Sequence, residues 1–150
     1  MAEDFHYRRR PPHWRQDNAA YFVTWRLMPH QPELSAPERD GIVEALTAFD
    51  GARYVLLAYV VMNDHVHVVL SELKTYSLDQ IVHSWKSFTA NRLQRRHGRV
   101  GRLWQDEYFD RIVRDESEFW QKVDYILSNP AKRWPDLASY KWVWARVEEK

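Results

Sequence analysis

Two apolar, β-branched runs, Tyr54 to Met62 (YVLLAYVVM) and His65 to Glu72 (HVHVVLSE), follow one another with only Asn63 and Asp64 between them. Residues of this kind fit a pleated surface, and an Asn-Asp pair suits a tight reversal, so the segment predicts a β-hairpin. Along its second strand His65 and His67 are two apart. Both imidazoles therefore project from one face, with Val66 and Val68 on the other.

The remaining elements are read around this hairpin. Tyr21 to Met28 (YFVTWRLM) alternates and predicts a strand closed by Pro29. Ser35 and Glu38, with Pro37 in the first turn, form a capping box for a helix running to about Phe49, ended by Asp50-Gly51. A second capping box, Ser77 and Gln80, opens a helix through Trp85, Phe88 and Leu93 that stops at Gly98. Tyr108 to Arg114 (YFDRIVR) predicts a last strand. Asp115 and Glu118 then cap a helix bearing Phe119, Val123, Ile126 and Leu127, stopped by Asn129-Pro130. The order strand, helix, strand, strand, helix, strand, helix predicts an α+β fold: a ferredoxin-like antiparallel sheet with its helices packed on one face.

A chain of 150 residues fits one domain, here residues 21–150, preceded by a basic, Pro-containing arm over residues 1–20 that includes Arg8 to Arg10. The absence of Cys excludes a disulfide framework, a thiolate zinc site and a Cys nucleophile, and suits a reducing cytoplasm. No apolar run approaches the roughly 18 residues of a membrane span, so the expectation is a soluble cytoplasmic protein with no membrane partner.

A formal net charge of +1 does not by itself point to a polyanionic partner, but the charge is unevenly distributed. Between Gln80 and Gln105 there is no acid, while Lys86, Arg92, Arg95, Arg96, Arg99 and Arg102 fall there. Such a run is either a solvated face or a track for phosphates. Eight Trp, eight Tyr and six Phe supply both core and possible stacking partners for unpaired bases, and burial is the better expectation for Trp85, Trp104 and Trp134.

Two imidazoles on one strand face can share a divalent ion, or can simply be satisfied histidines in a half-buried sheet. Tyr125 and Asn129 are one turn apart on the last helix, so an amide oxygen and a phenol share a face there. They are open to a bland reading too, as a core aromatic and a helix stop.

Three separated segments decide between these readings: AYVVMNDHVHVVL, SLDQIVHSWKSFTANRLQRRHGRVGRLWQDEYFDRIVRDE and VDYILSNPAKRW. Together they resemble the single-tyrosine HUH transposases, most closely the REP-associated tyrosine transposases, over nearly all of the chain from Tyr21 to Trp144. The resemblance implies that His65, His67 and Asn129 hold a divalent metal, Mg²⁺ or Mn²⁺, and that Tyr125 is the nucleophile. It implies action on single-stranded or hairpin DNA through a 5′-phosphotyrosine intermediate, by a monomer or homodimer associated with the nucleoid. Lys86, Arg92, Arg95 and Arg96 are the candidate DNA contacts. Asp64, before the histidine pair, departs mildly from the family turn. A catalytically retired hairpin-binding protein is one alternative. A histidine-triad nucleotide hydrolase is another, although Asn63 and Val69 stand where its further His would be needed.

Overall fold

The structure, a computed structural model, describes residues 20–146. The basic arm, apart from Ala20, lies outside the described residues. Ala20 itself opens the first strand, β1 (Ala20–Arg26), followed by α1 (Ala36–Thr47), β2 (Tyr54–Val61), β3 (His65–Glu72), α2 (Leu78–His97), β4 (Phe109–Val113), α3 (Glu116–Arg133) and β5 (Val143–Ala145). The strands form one antiparallel sheet in the order β4-β1-β3-β2-β5. The first four strands with α1 and α2 give the ferredoxin-like arrangement that the element order predicts.

The local signals act where the sequence places them. Ser35 and Ser77 each accept a hydrogen bond from the third backbone amide of their helix, and Glu38 and Gln80 complete both capping boxes. Gly98 ends α2 at φ 68°, in the left-handed region that favours glycine. Asp115 accepts from the Glu118 amide at the start of α3.

Three expectations differ from the structure. The helices do not share one face: α1 and α2 cover the face of Val66, Val68 and Leu70, whereas α3 lies on the opposite face with Phe119, Val123 and Ile126 against Phe22, Val60 and Val69. The hairpin explains this, since its strands are apolar on both faces and would leave one in water if only the two crossover helices covered it. Second, α3 does not stop at Asn129-Pro130 but continues through Pro130 to Arg133. Pro130 cannot donate to the preceding turn, but its ring is buried, and its carbonyl still accepts from the Trp134 amide at 2.8 Å. Third, β5 adds an edge strand beside β2. Its three residues are too few to show a period, and Arg146 fixes them by donating to the Leu56 carbonyl at 2.8 Å and to Asp50 at 2.7 Å.

No helix among the described residues is long and apolar enough to cross a membrane.

Candidate active site

The site is built on the sheet face under α3, where strand alternation directs His65, His67 and Val69. The register sets Thr24 of β1 opposite His67 and Phe109 of β4 opposite Thr24, so the three occupy one row across three strands. The His65 and His67 ring centroids are 4.7 Å apart. From the other side α3 delivers Tyr125, whose ring lies 5.2 Å from that of His67 and 5.9 Å from that of Phe22. Phe22 in turn stacks on His67 at 5.4 Å.

Both imidazoles are held by Nδ1. His67 Nδ1 lies 2.6 Å from the Thr24 hydroxyl, and His65 Nδ1 lies 2.7 Å from the Asp64 carboxylate. A ligand imidazole characteristically gives its other nitrogen to such a partner, which fixes the tautomer and the ring orientation. Nε2 of His67 is buried and has no hydrogen-bond partner among the described residues. A buried nitrogen with an unused lone pair fits a divalent metal ligand. Burial, reinforced by His65 and Arg26, lowers the His67 pKa to about 3, which keeps the ring neutral as ligation requires.

Asn129 sits one turn beyond Tyr125 and is buried. Among the described residues no group of three or more His, Cys, Asp or Glu side chains is placed to hold a metal ion. The Asn129 side chain carries an amide oxygen, a donor type that hard divalent ions accept.

Tyr125 remains 42% exposed, which a nucleophile meeting a polymer requires. Tyr108, which lines the same groove as His67 and Tyr125, is otherwise engaged: its hydroxyl donates to Asp79 at 2.6 Å. Burial, that hydrogen bond and the negative charges of Asp79 and Asp110 all push its pKa upward.

The basic residues of α2 lie across the sheet from this cluster. The Lys86 amine donates to the carbonyls of Gln105 and Asp106, tying the loop before β4 to α2. Arg92 pairs with Glu44 of α1 at 2.8 Å, and Arg99 is buried against Glu38. Arg95 and Arg96 are exposed in the last turn of α2. Trp85 and Trp104 are core residues, and Trp134 stacks on Tyr140. Cations that sequence reasoning passed over stand nearer: the Lys122 amine is 5.0 Å from the Phe22 ring centroid, and the Lys132 amine is 5.1 Å from that of Tyr125. Their spacing from Tyr125, three residues before and seven after, was the available signal.

A sheet-borne His pair facing a helix-borne Tyr places the chain in the architectural class of the tyrosine transposases. The structure of a REP-associated tyrosine transposase bound to a REP hairpin superposes with a TM-score of 0.69 at 17% identity, covering 87% of this chain and 81% of that one. A provisionally named transposase from Deinococcus radiodurans gives 0.55 at 22% identity, covering 78% and 93%. The chain belongs to the IS200-like transposase family, whose sequence model matches residues 44–129. A Haemophilus influenzae protein, provisionally named a REP-associated tyrosine transposase, is 23% identical over an alignment of 112 residues, which covers 61% of this chain and 62% of that relative's length.

Proposed function

We propose that this protein cuts and rejoins single-stranded DNA beside a hairpin, with Tyr125 as the nucleophile. The observation that carries the reading is the meeting of Tyr125 with the His65–His67 pair across the sheet–helix interface. Attack forms a bond from the phenol oxygen to phosphorus and breaks the bond from phosphorus to the 3′ oxygen. The phenol loses one proton and the departing 3′ oxygen gains one. The downstream strand is left as a 5′-phosphotyrosine, and attack by a second 3′-hydroxyl reverses the step, so no nucleotide cofactor is consumed.

His65, His67 and Asn129 would hold Mg²⁺ or Mn²⁺, which when bound supplies Lewis-acid stabilisation of charge on the phosphoryl oxygens. The chain's own residues supply the rest. Thr24 and Asp64 orient the imidazoles, and the Phe22 ring packs edge to face against Tyr125 at 5.9 Å. Palindromic DNA as the target is supported by the relative named for REP elements and by the similar fold solved with a REP hairpin.

The test is incubation with 3′-labelled hairpin DNA bearing single-stranded flanks, in Mg²⁺ or Mn²⁺, followed by denaturing electrophoresis. Labelled protein is expected from the wild type and none from His65→Ala or His67→Ala, which should still bind the DNA. The lack of any adduct from the wild type in either metal would overturn the reading.

A further inference from the structure

We infer that Phe109 seats an unpaired base of the strand that Tyr125 cuts, while Lys122 and Lys132 hold phosphates on either side of that tyrosine. This rests on the reading of Tyr125 above and adds the surface on which the strand lies.

Phe109 occupies the edge strand in the row that passes through Thr24 to His67. At the usual spacing between strands, its backbone is about 10 Å from that of His67. Its ring meets the Phe22 ring edge to face at 6.4 Å and 72°, and Phe22 contacts both Tyr125 and His67. The two phenylalanines differ in one respect that matters: Phe22 is 5% exposed, whereas Phe109 is 56% exposed. Phe109 therefore contributes little to the core, yet it stands on the same aromatic platform as the nucleophile.

The charge around the platform suits a single strand. Between Phe109 and His67 runs a groove of about 640 Å³, lined by Arg26 and Lys122 against one acid, Glu107. Along α3, Lys122, Tyr125, Asn129 and Lys132 recur at intervals of three, four and three residues, which places them on one stripe of the helix. A row of ammonium groups beside an exposed ring is how proteins hold unpaired nucleic acid: charge follows the phosphates and the ring stacks on a base whatever its identity. Across the sheet, α2 presents an exposed ring of its own, Phe88 at 53%, with Lys86 and Arg92 engaged within the protein and Arg95 and Arg96 exposed, but that face lies away from Tyr125 and His67.

The two faces can be told apart by photocross-linking. The probe is a single-stranded thymidine dodecamer with 5-iodouracil at its centre, irradiated with the full chain carrying Tyr125→Phe and digested for peptide mapping. The cross-link should fall on the peptide containing Phe109. Added to this chain, Phe109→Ala should abolish that cross-link and weaken binding about five- to tenfold, a loss within the range for one stacked base. Phe109→Trp should restore both, and Phe88→Ala should change neither. Replacing Lys122 and Lys132 together by Ala should reduce the salt slope of binding by about 1.4, the value for two single-strand phosphate contacts.

A cross-link on the Phe88 peptide, or unchanged affinity in Phe109→Ala, overturns the inference. Its failure is distinguishable from failure of the chemistry. A Phe109→Ala protein, with Tyr125 intact, that forms the covalent adduct at unchanged KM removes the seat and leaves the nucleophile standing. A Phe109 cross-link in a protein whose wild type never forms the adduct does the reverse.

Discussion

The hydroxyl of Thr24 lies 2.6 Å from Nδ1 of His67, on the strand next to it and directly opposite in register. In the proposed site, ligation through Nε2 would leave the proton on Nδ1, which would then donate a hydrogen bond to the Thr24 oxygen. Thr24→Val keeps the branched shape and removes this acceptor. The expected outcome is a 10- to 100-fold loss in Mn²⁺ affinity by titration calorimetry, in keeping with other partners of ligating histidines. Unfolding should remain cooperative.

Arg99 and Glu38 form an ion pair whose side chains are 6% and 5% exposed. The guanidinium also donates to the carbonyls of Pro32 and Glu33, so it fastens the turn after β1 to the segment after α2. Arg99→Ala leaves Glu38 buried without its partner and should cost about 3 kcal/mol of stability, read from urea unfolding at pH 7. An Arg at this position acts as a structural staple, so affinity for DNA should not follow the loss.

The same pair predicts an acid limb. Burial raises the Glu38 pKa, but the Arg99 hydrogen bond and charge, together with the Ser35 amide and hydroxyl, outweigh it and lower the pKa from 4.5 to about 2. The unfolded chain therefore takes up a proton before the folded one does. The stabilisation is fully present above about pH 5 and is lost as pH falls from about 4.5 to about 2, roughly 3 kcal/mol in all. Unfolding midpoints for wild type and Glu38→Gln at pH 6 and pH 3 check this. The wild type should lose more stability between them than the variant.

The cations of α2 should separate into two groups. Lys86 and Arg92 are engaged within the protein, whereas Arg95 and Arg96 are exposed. Arg92→Ala should lower the thermal midpoint by a few degrees with little change in the salt slope of DNA binding. Arg95→Ala and Arg96→Ala should leave stability within about 0.5 kcal/mol. Any loss of DNA affinity on this helix should appear in those two variants, measured by fluorescence anisotropy over a salt series.

The hairpin, the capping boxes and the His65–His67 face were legible because each depends on neighbours in sequence: alternation for the strands, a three-residue spacing for the caps. The side of the sheet that α3 covers was not, because it is decided by what the two crossover helices leave bare. Pro130 read as a stop since its missing N–H is a local cost, while the burial that offsets it comes from the tertiary structure. The partners of the cations were equally hidden. Arg92 finds Glu44, and Arg99 finds Glu38, only once α1 and α2 lie side by side. Likewise Thr24 is an ordinary strand residue until β1 and β3 pair and it faces His67.

In the proposed reaction one oxygen, that of Tyr125, takes the phosphoryl group. Tyr125→Phe removes that oxygen and keeps the ring against His67 and Phe22, so folding and hairpin binding should persist while the covalent adduct disappears. Tyr108→Phe should retain the adduct, because the Tyr108 hydroxyl is bound to Asp79. The direct measurement is mass-spectrometric mapping of the trapped DNA adduct formed with 3′-labelled hairpin substrate and Mn²⁺. The 5′-phosphate should be found on the peptide containing Tyr125; finding it on Tyr108, or recovering an adduct from Tyr125→Phe, would show that Tyr125 is not the nucleophile.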